Sequence, residues 1–372
     1  MNDRFGTGIL GTGILATGIL GAALGLGLLA STAQAATMVY VSNADSRDLY
    51  VATLDNASGA IKLVDKVPVT GTAMPLAISP NHRYLYAGLR SVPYSVACFG
   101  IDQASGKLIP LATVPLPDNM AYLSTDKTGR FLFGASYTGD RISVNPIGPQ
   151  GFVQPQPIDV IATRKNAHSI VTDPSNSYVF ASNLGGDILL QYRLDPISGH
   201  LTPNATPFVE TKHGAGPRHI LFHPNGRFVY ATNELDGTVN TYKFDPAAGT
   251  LTLLTSTSVV PAGFSGGAPA TSDLHTTPDG RFLYVAERTS NTIAAFRVDG
   301  ATGALSLVGN TPTETQPRGF NIDPRGHFLL AVGQKSNGMT AYAINQDTGA
   351  LTPLKHYEMG KNPNWVEIVD IP

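Results

Sequence analysis

A tight turn followed by an aromatic-rich strand recurs along the chain: SPNHRYLYAG, TDKTGRFLFGAS, DPSNSYVFASN, HPNGRFVYATN, TPDGRFLYVAE and DPRGHFLLAVG. The residues just before each aromatic strand are Arg83, Arg130, Ser177, Arg227, Arg281 and His327, at intervals of 47, 47, 50, 54 and 46. A step of 46 back from Arg83 reaches Thr37, which opens TMVYVSN, the same strand without its turn. A sustained period of this length constrains the fold more than any other feature, because each unit can bury its apolar faces only against neighbouring copies.

A second marker keeps the same register. Most units end in (D/N)-x-x-(S/T/A)-G, at Gly59, Gly106, Gly199, Gly249, Gly303 and Gly349, while the third unit carries a degenerate NPIGPQGF. Glycine there supplies the positive φ that a hairpin turn requires. Strands between the markers are short and rich in β-branched and aromatic residues, with no sustained helical period. Seven units of four short strands predict an all-β fold, a seven-bladed β-propeller of four-stranded antiparallel blades with almost no helix. The first unit lacks its leading strand, and Trp365–Val369 has the character of one with no unit after it. The C-terminal strand is therefore predicted to close the ring as the innermost strand of the blade containing Thr37–Asn43, which removes the open edge.

Residues 1–35 stand apart. They run apolar and Gly-rich from Phe5 and end in Ala33-Gln34-Ala35, a small-x-small pattern. This reads as a cleaved export signal, leaving residues 36–372 as the propeller in a periplasmic protein with no stable membrane insertion. Charged residues make up only 14% of the chain and the net charge is −2. That excludes nucleic-acid binding by massed Lys and Arg, and a polybasic membrane surface. The single cysteine, Cys98, excludes a disulfide framework and any multi-cysteine metal site.

In a propeller blade the start of the first strand and the end of the second share one face of the central channel. Nine residues before each anchor stand Met74, Ala121, His168, Arg218, Ser272, Arg318 and Asn364. Seven residues after stand Ala44, Arg90, Tyr137, Leu184, Glu234, Arg288 and Gln334. Charge is scarce in this chain, yet it gathers at these offsets. His219 follows Arg218 directly, and His275 lies inside a predicted strand. The remaining histidines, His82, His200, His213, His223, His327 and His356, read as turn or surface residues. One carboxylate with scattered histidines does not make a three-ligand metal site. There is no G-x-S-x-G elbow, and no Gly-rich loop opens a helix to bind a dinucleotide. A carboxylate, an imidazole and several guanidinium groups suit addition of water to a carbonyl: a base activates water and cationic donors hold the oxyanion.

GAGPRHILFHPNGRFVYATNELDG from Gly214, DLHTTPDGRFLYVAER from Asp273, and PTETQPRGFNIDPRGHFLLAVGQKS from Pro312 resemble the β-propeller 6-phosphogluconolactonases. NAHSIVTDPSN from Asn166 and GKNPNWVEIV from Gly360 match as well. That family shares its fold with the carboxymuconate-lactonizing enzymes. The resemblance implies a mouth group of His168, Arg218, Glu234 and a further arginine, Arg288 or Arg318. It also implies a small-molecule sugar lactone as the partner and no cofactor. Combined with the leader, it points to a periplasmic gluconolactonase that opens glucono-1,5-lactone without metal. In this reading Glu234, or else His168, is the base, and Arg218 and Arg318 hold the oxyanion. Arg288, Gln334, His219 and His275 position the sugar. The alternatives are a 6-phosphogluconolactonase or another lactone hydrolase or lactonizing enzyme, and a non-catalytic propeller that binds a protein or cell-wall ligand.

Overall fold

The computed structural model describes residues 36–371, and the leader reading for residues 1–35 lies outside them. The described residues form twenty-eight strands in seven four-stranded antiparallel sheets, with no helix among them. Blades two to seven span 73–115, 120–162, 167–210, 217–258, 271–312 and 317–358. Blade one combines residues 36–68 with the C-terminal strand Pro363–Ile371, which pairs with Ala36–Asn43 (Thr37 opposite Asp370, Val41 opposite Val366). The predicted closure is thus the one observed.

Apolar side chains pack between blades. Met38, Tyr40 and Val51 of blade one interdigitate with Leu76, Leu85 and Phe99 of blade two. Val39 and Val41 on the other face pack on Leu330, Val332 and Ala341 of blade seven. The two sequence markers meet at these seams. The first aromatic of a second strand lies under the outer hairpin glycine of the next blade, as Phe228 does under Gly303 and Phe282 under Gly349, so a Cβ at either glycine would overlap the ring. Tyrosines two residues further on reach the same hairpins: Tyr40 Oη donates to Gly106 O at 2.8 Å and Tyr284 Oη to Gly349 O at 2.8 Å. The third unit departs from its degenerate sequence. Gly151, with φ +77°, occupies the position of the other hairpin glycines and packs on Tyr84. Only the outer strand there is short, Asp159–Ala162.

At the face away from the predicted site, tight turns join the first and second strands. Asp126, Asp173 and Asp323 are buried there and accept the backbone N–H groups of their own turns, as in Arg130 N and Phe131 N to Asp126 Oδ1 at 2.7 and 2.9 Å. His223 takes the equivalent place in blade five. It is a turn residue as expected, but buried rather than exposed, with Nε2 donating to Gly280 O at 2.9 Å.

Candidate functional site

Each residue of the first predicted ring is the second residue of an innermost strand, from Met74 in Ala73–Ile78 to Asn364 in Pro363–Ile371. The pairing register shifts at this point in every blade, for example between Pro217 and Ile220 and between Pro317 and Gly319. Such a bulge re-aims side chains and ends regular pairing. Residues of the second ring lie one step past the second strands. Their backbone N–H groups bond back across the blade, as in Glu234 N to Gly216 O at 2.7 Å, Arg288 N to Ala270 O at 3.2 Å and Gln334 N to Gln316 O at 3.2 Å. The two rings therefore share one mouth.

A cavity of about 200 Å³ opens there, lined by Arg90, Ala121, Tyr137, His168, Glu234 and Arg318. Ligand pockets for drug-sized molecules run to about 300–1,000 Å³, so this space suits a single small ring rather than a polymer. A larger cavity of about 330 Å³ lies at the opposite end of the channel, by Trp365, Glu367 and the turn residues Ser79 and His82. Neither His168 nor any arginine lines it, and the chemistry belongs to the smaller one.

Glu234 is clamped by two guanidinium groups: Oε2 lies 2.8 Å from Arg218 Nε and Oε1 lies 2.9 Å from Arg288 Nη2. The Arg218 contact is an ion pair whose N–H direction misses the oxygen, so Nε and Nη2 of this fully buried side chain have no hydrogen-bond partner. Burial alone would raise the Glu234 carboxyl, but Arg218 and Arg288 overcome it and hold the group below its ordinary value. His168 is buried and its Nδ1 has no partner. Burial first, then the positive charge of Arg218, pushes its pKa well below the ordinary imidazole value, so the ring is neutral. Tyr137 meets it edge-on with ring centroids 5.8 Å apart. Arg318 lines the cavity with an unpartnered Nε. Burial lowers its pKa, with Arg218 and Arg288 adding to the effect, yet a guanidinium stays charged in proteins. Arg90 is braced by Asn119 Oδ1 at 2.5 Å from its Nε.

The structure thus brings His168, Arg218, Glu234, Arg288 and Arg318 to one mouth, at different depths. Arg218 lies wholly buried beneath Glu234, away from the cavity lining. Gln334 is at the rim, where its Nε2 donates to Asn362 Oδ1 at 2.9 Å. His219 and His275, expected to position the sugar, lie below the cavity instead. His219 is buried with Nδ1 2.8 Å from Asp273 Oδ1, and His275 Nε2 is 3.4 Å from Asp273 Oδ2. The offset explains this. One residue past the first ring, successive blades carry Pro75, Tyr122, Ser169, His219, Asp273, Gly319 and Trp365, a second layer down the channel. Three residues past the ring, His275 and Glu367 belong to a third. Reading that next offset would have found Asp273 and Tyr122, which the single-ring reading passed over. Arg90 and Tyr137 stood in the second ring without an assigned role, and both line the cavity.

A family model described as a seven-bladed β-propeller lactonase matches residues 34–368. The chain belongs to this lactonase family. The 6-phosphogluconolactonase of Pectobacterium carotovorum is 43% identical over 332 residues, covering 89% of this chain and 98% of the relative. That of Serratia proteamaculans is 41% identical over 332 residues, with the same coverage, 89% and 98%. Among solved structures, the periplasmic gluconolactonase of Pseudomonas aeruginosa superposes with a TM-score of 0.85 at 30% identity, covering 91% of this chain and all of that one. The lactonase is a carboxylic ester hydrolase acting on a lactone ring, and the non-catalytic alternative falls away.

Proposed function

We propose that this lactonase hydrolyses glucono-1,5-lactone, or a related aldonolactone, to the aldonic acid by adding water to the ester carbonyl at the channel mouth. One observation carries the reading. A carboxylate held ionised, an imidazole held neutral and the guanidinium-bearing Arg90 and Arg318 surround one cavity of about 200 Å³. His168 takes the proton of water as the water oxygen bonds to the carbonyl carbon, and returns a proton to the ring oxygen as the acyl C–O bond breaks. What supports His168 over Glu234 is that its neutral ring lines the cavity, whereas each Glu234 oxygen already faces a guanidinium. Glu234 holds the water and balances the imidazolium as it forms. Arg318 meets the developing oxyanion, a task worth roughly 3–4 kcal/mol for one well-placed donor. Arg90, Arg288 and Gln334 hold sugar hydroxyls or the product carboxylate. A lactone is a reactive ester, so this machinery suffices without a metal. The apolar leader ending at Ala35 supports a periplasmic site of action, where an unphosphorylated lactone is the available form. Cell fractionation with an antibody to the chain tests that part.

A second reading has its own support. Arg90, Arg218, Arg288 and Arg318 outnumber Glu234 at the mouth of a chain whose net charge is −2. Such a surplus suits a substrate with its own anion, such as the phosphorylated lactone named for the curated relatives. The deciding experiment follows acid release from both lactones with a pH indicator, above the spontaneous rate, with and without chelator. A higher kcat/KM on glucono-1,5-lactone, unchanged by chelator, is expected. A preference for the phosphorylated lactone favours the second reading. Neither lactone being hydrolysed faster than in buffer defeats both.

A further inference from the structure

Beneath the mouth, a line of polar groups runs away from the cavity and plays no part in the steps above. Arg218 Nη1 donates to Ser272 O at 2.5 Å and lies 3.0 Å from His219 Nε2. Because a guanidinium has only donors, His219 Nε2 must present its lone pair. Nδ1 then carries the proton, and it is 2.8 Å from Asp273 Oδ1. Asp273 is itself fixed: Oδ1 accepts Leu274 N at 3.0 Å, Oδ2 accepts Phe320 N at 3.2 Å, and His275 Nε2 lies 3.4 Å from Oδ2. Packing fixes the imidazole plane as well. Tyr122 meets His219 edge-on at 5.0 Å, and Trp365 and His168 lie 5.6 and 5.3 Å from it, centroid to centroid. The His219 ring therefore has one orientation and one tautomer. The charges alternate along the line, from the Asp273 carboxylate through a neutral His219 to the Arg218 cation and the Glu234 carboxylate. Burial, with Arg218 adding to it, pushes His219 down to about 4, which keeps the ring neutral across the working range.

We propose that Asp273 and His219 are positioning residues of the lactonase: Asp273 locks the Nδ1–H tautomer of His219, whose Nε2 holds Arg218 against Glu234. This rests on Glu234 and His168 serving the hydrolysis described above. The arrangement solves a physical problem. Arg218 is a fully buried cation with two unpartnered nitrogens, and burying a charge is costly unless it is paired. Glu234 draws the guanidinium from one side at Nε, and Ser272 O and His219 Nε2 anchor Nη1 from the other. His219 offers a neutral acceptor, which binds the guanidinium without competing with Glu234 for its charge. A carboxylate placed directly at His219 would draw the cation down and away. Asp273 supplies its negative charge one step removed.

The test uses the purified chain as Asp273→Asn, His219→Leu and His219→Gln. Gln carries an N–H on one side and a carbonyl oxygen on the other, so it reproduces the donor and acceptor of the locked imidazole. The expected result is that Asp273→Asn and His219→Leu lower kcat about 100-fold, the cost of a displaced catalytic group, with KM within a few-fold of the parent. His219→Gln should restore most of that loss. The acid limb of log kcat/KM should also move to higher pH in Asp273→Asn, because Glu234 and His168 both lose a guanidinium that depresses their pKa. A merely structural role would lower activity equally at every pH and leave His219→Gln as poor as His219→Leu. Nitrogen NMR of labelled protein reads the lock without activity. The parent should show His219 protonated at Nδ1, and Asp273→Asn should show a mixture. A parent with Nε2 protonated, or unchanged kinetics in Asp273→Asn, overturns the proposal. A parent that shows the lock but opens no lactone instead overturns the functional reading and leaves the positioning network standing.

Discussion

The turn ends and the mouth ends of the innermost strands both hold buried polar groups, and these are differently satisfied. At the turn end, Asp126 has no exposed surface, and its oxygens accept two backbone N–H groups of its turn at 2.7 and 2.9 Å and Asn176 Nδ2 at 2.9 Å. At the mouth end, Arg218 is equally inaccessible but keeps two nitrogens without partners, and His168 Nδ1 and Arg318 Nε are in the same state. An unsatisfied buried polar group costs about 1–3 kcal/mol. The turn carboxylates avoid that cost and hold the scaffold. The mouth bears it, at atoms closed to solvent directly behind the side chains that line the cavity. Burial by itself does not separate structural from functional charge, whereas hydrogen-bond satisfaction does.

Four experiments would break or sharpen this contrast. The largest effect is expected from His168→Gln, lowering kcat/KM about 10³-fold in lactone hydrolysis while the melting temperature stays near the parent's. Glu234→Gln should lose as much activity but also melt lower, because it leaves the buried Arg218 cation without its carboxylate. A loss of stability comparable to the loss of activity would make the mouth charges structural after all. Arg318→Ala follows, with an expected loss of about 10²-fold in kcat, and a melting temperature no lower than the parent's because a cation crowded by Arg218 and Arg288 has been removed. Asp126→Ala should do the reverse. It should lose about 2–3 kcal/mol in denaturant unfolding and keep kcat per folded molecule. A drop in kcat at full folding would show that the two ends are coupled.

The smallest effect concerns pH. For His168 burial and Arg218 favour the neutral imidazole, and for Glu234 two guanidiniums favour the carboxylate against the pull of burial. The active ionisation state therefore persists to lower pH than free groups would allow. The kcat/KM profile should be flat through 6.5, the ordinary imidazole value, and bend only below it; a bend above 6.5 would contradict the geometry. At the other end, burial raises the Asp126 carboxyl, but its hydrogen bonds outweigh that and leave it below its ordinary value. A group with a depressed folded pKa stabilises the fold above its unfolded pKa, and the contribution is lost as pH falls through the folded one. Acid melting should reveal this in the parent and less of it in Asp126→Ala.

Much of this molecule is legible along the chain. The turn-strand anchors mark every blade but the first, and the hairpin glycine motif marks every blade but the third, where Gly151 performs the hairpin role from within an irregular sequence. Glu234, Arg218, Arg288, Arg318 and His168 were found by counting from those anchors. The depth of each was not. Arg218 reads as the group that meets the carbonyl, yet it lies beneath Glu234, and Arg318 lines the cavity. His219 and His275 read as contacts to the sugar, yet both turn to Asp273.

Periodicity settles the architecture because each blade repeats the same local problem of strand, turn and seam, and a local problem has a local signature. It also settles the level at which each backbone position stands along the channel, though not how deep its side chain reaches. Partnership is a different matter. Arg218 meets Ser272, and His219 meets Asp273, across a seam between blades and 54 residues of chain. Which long side chain reaches the cavity and which is held under it depends on the packing of Tyr122, Trp365 and their neighbours around the axis. Only the closed ring brings those groups together, so only the folded molecule selects among them.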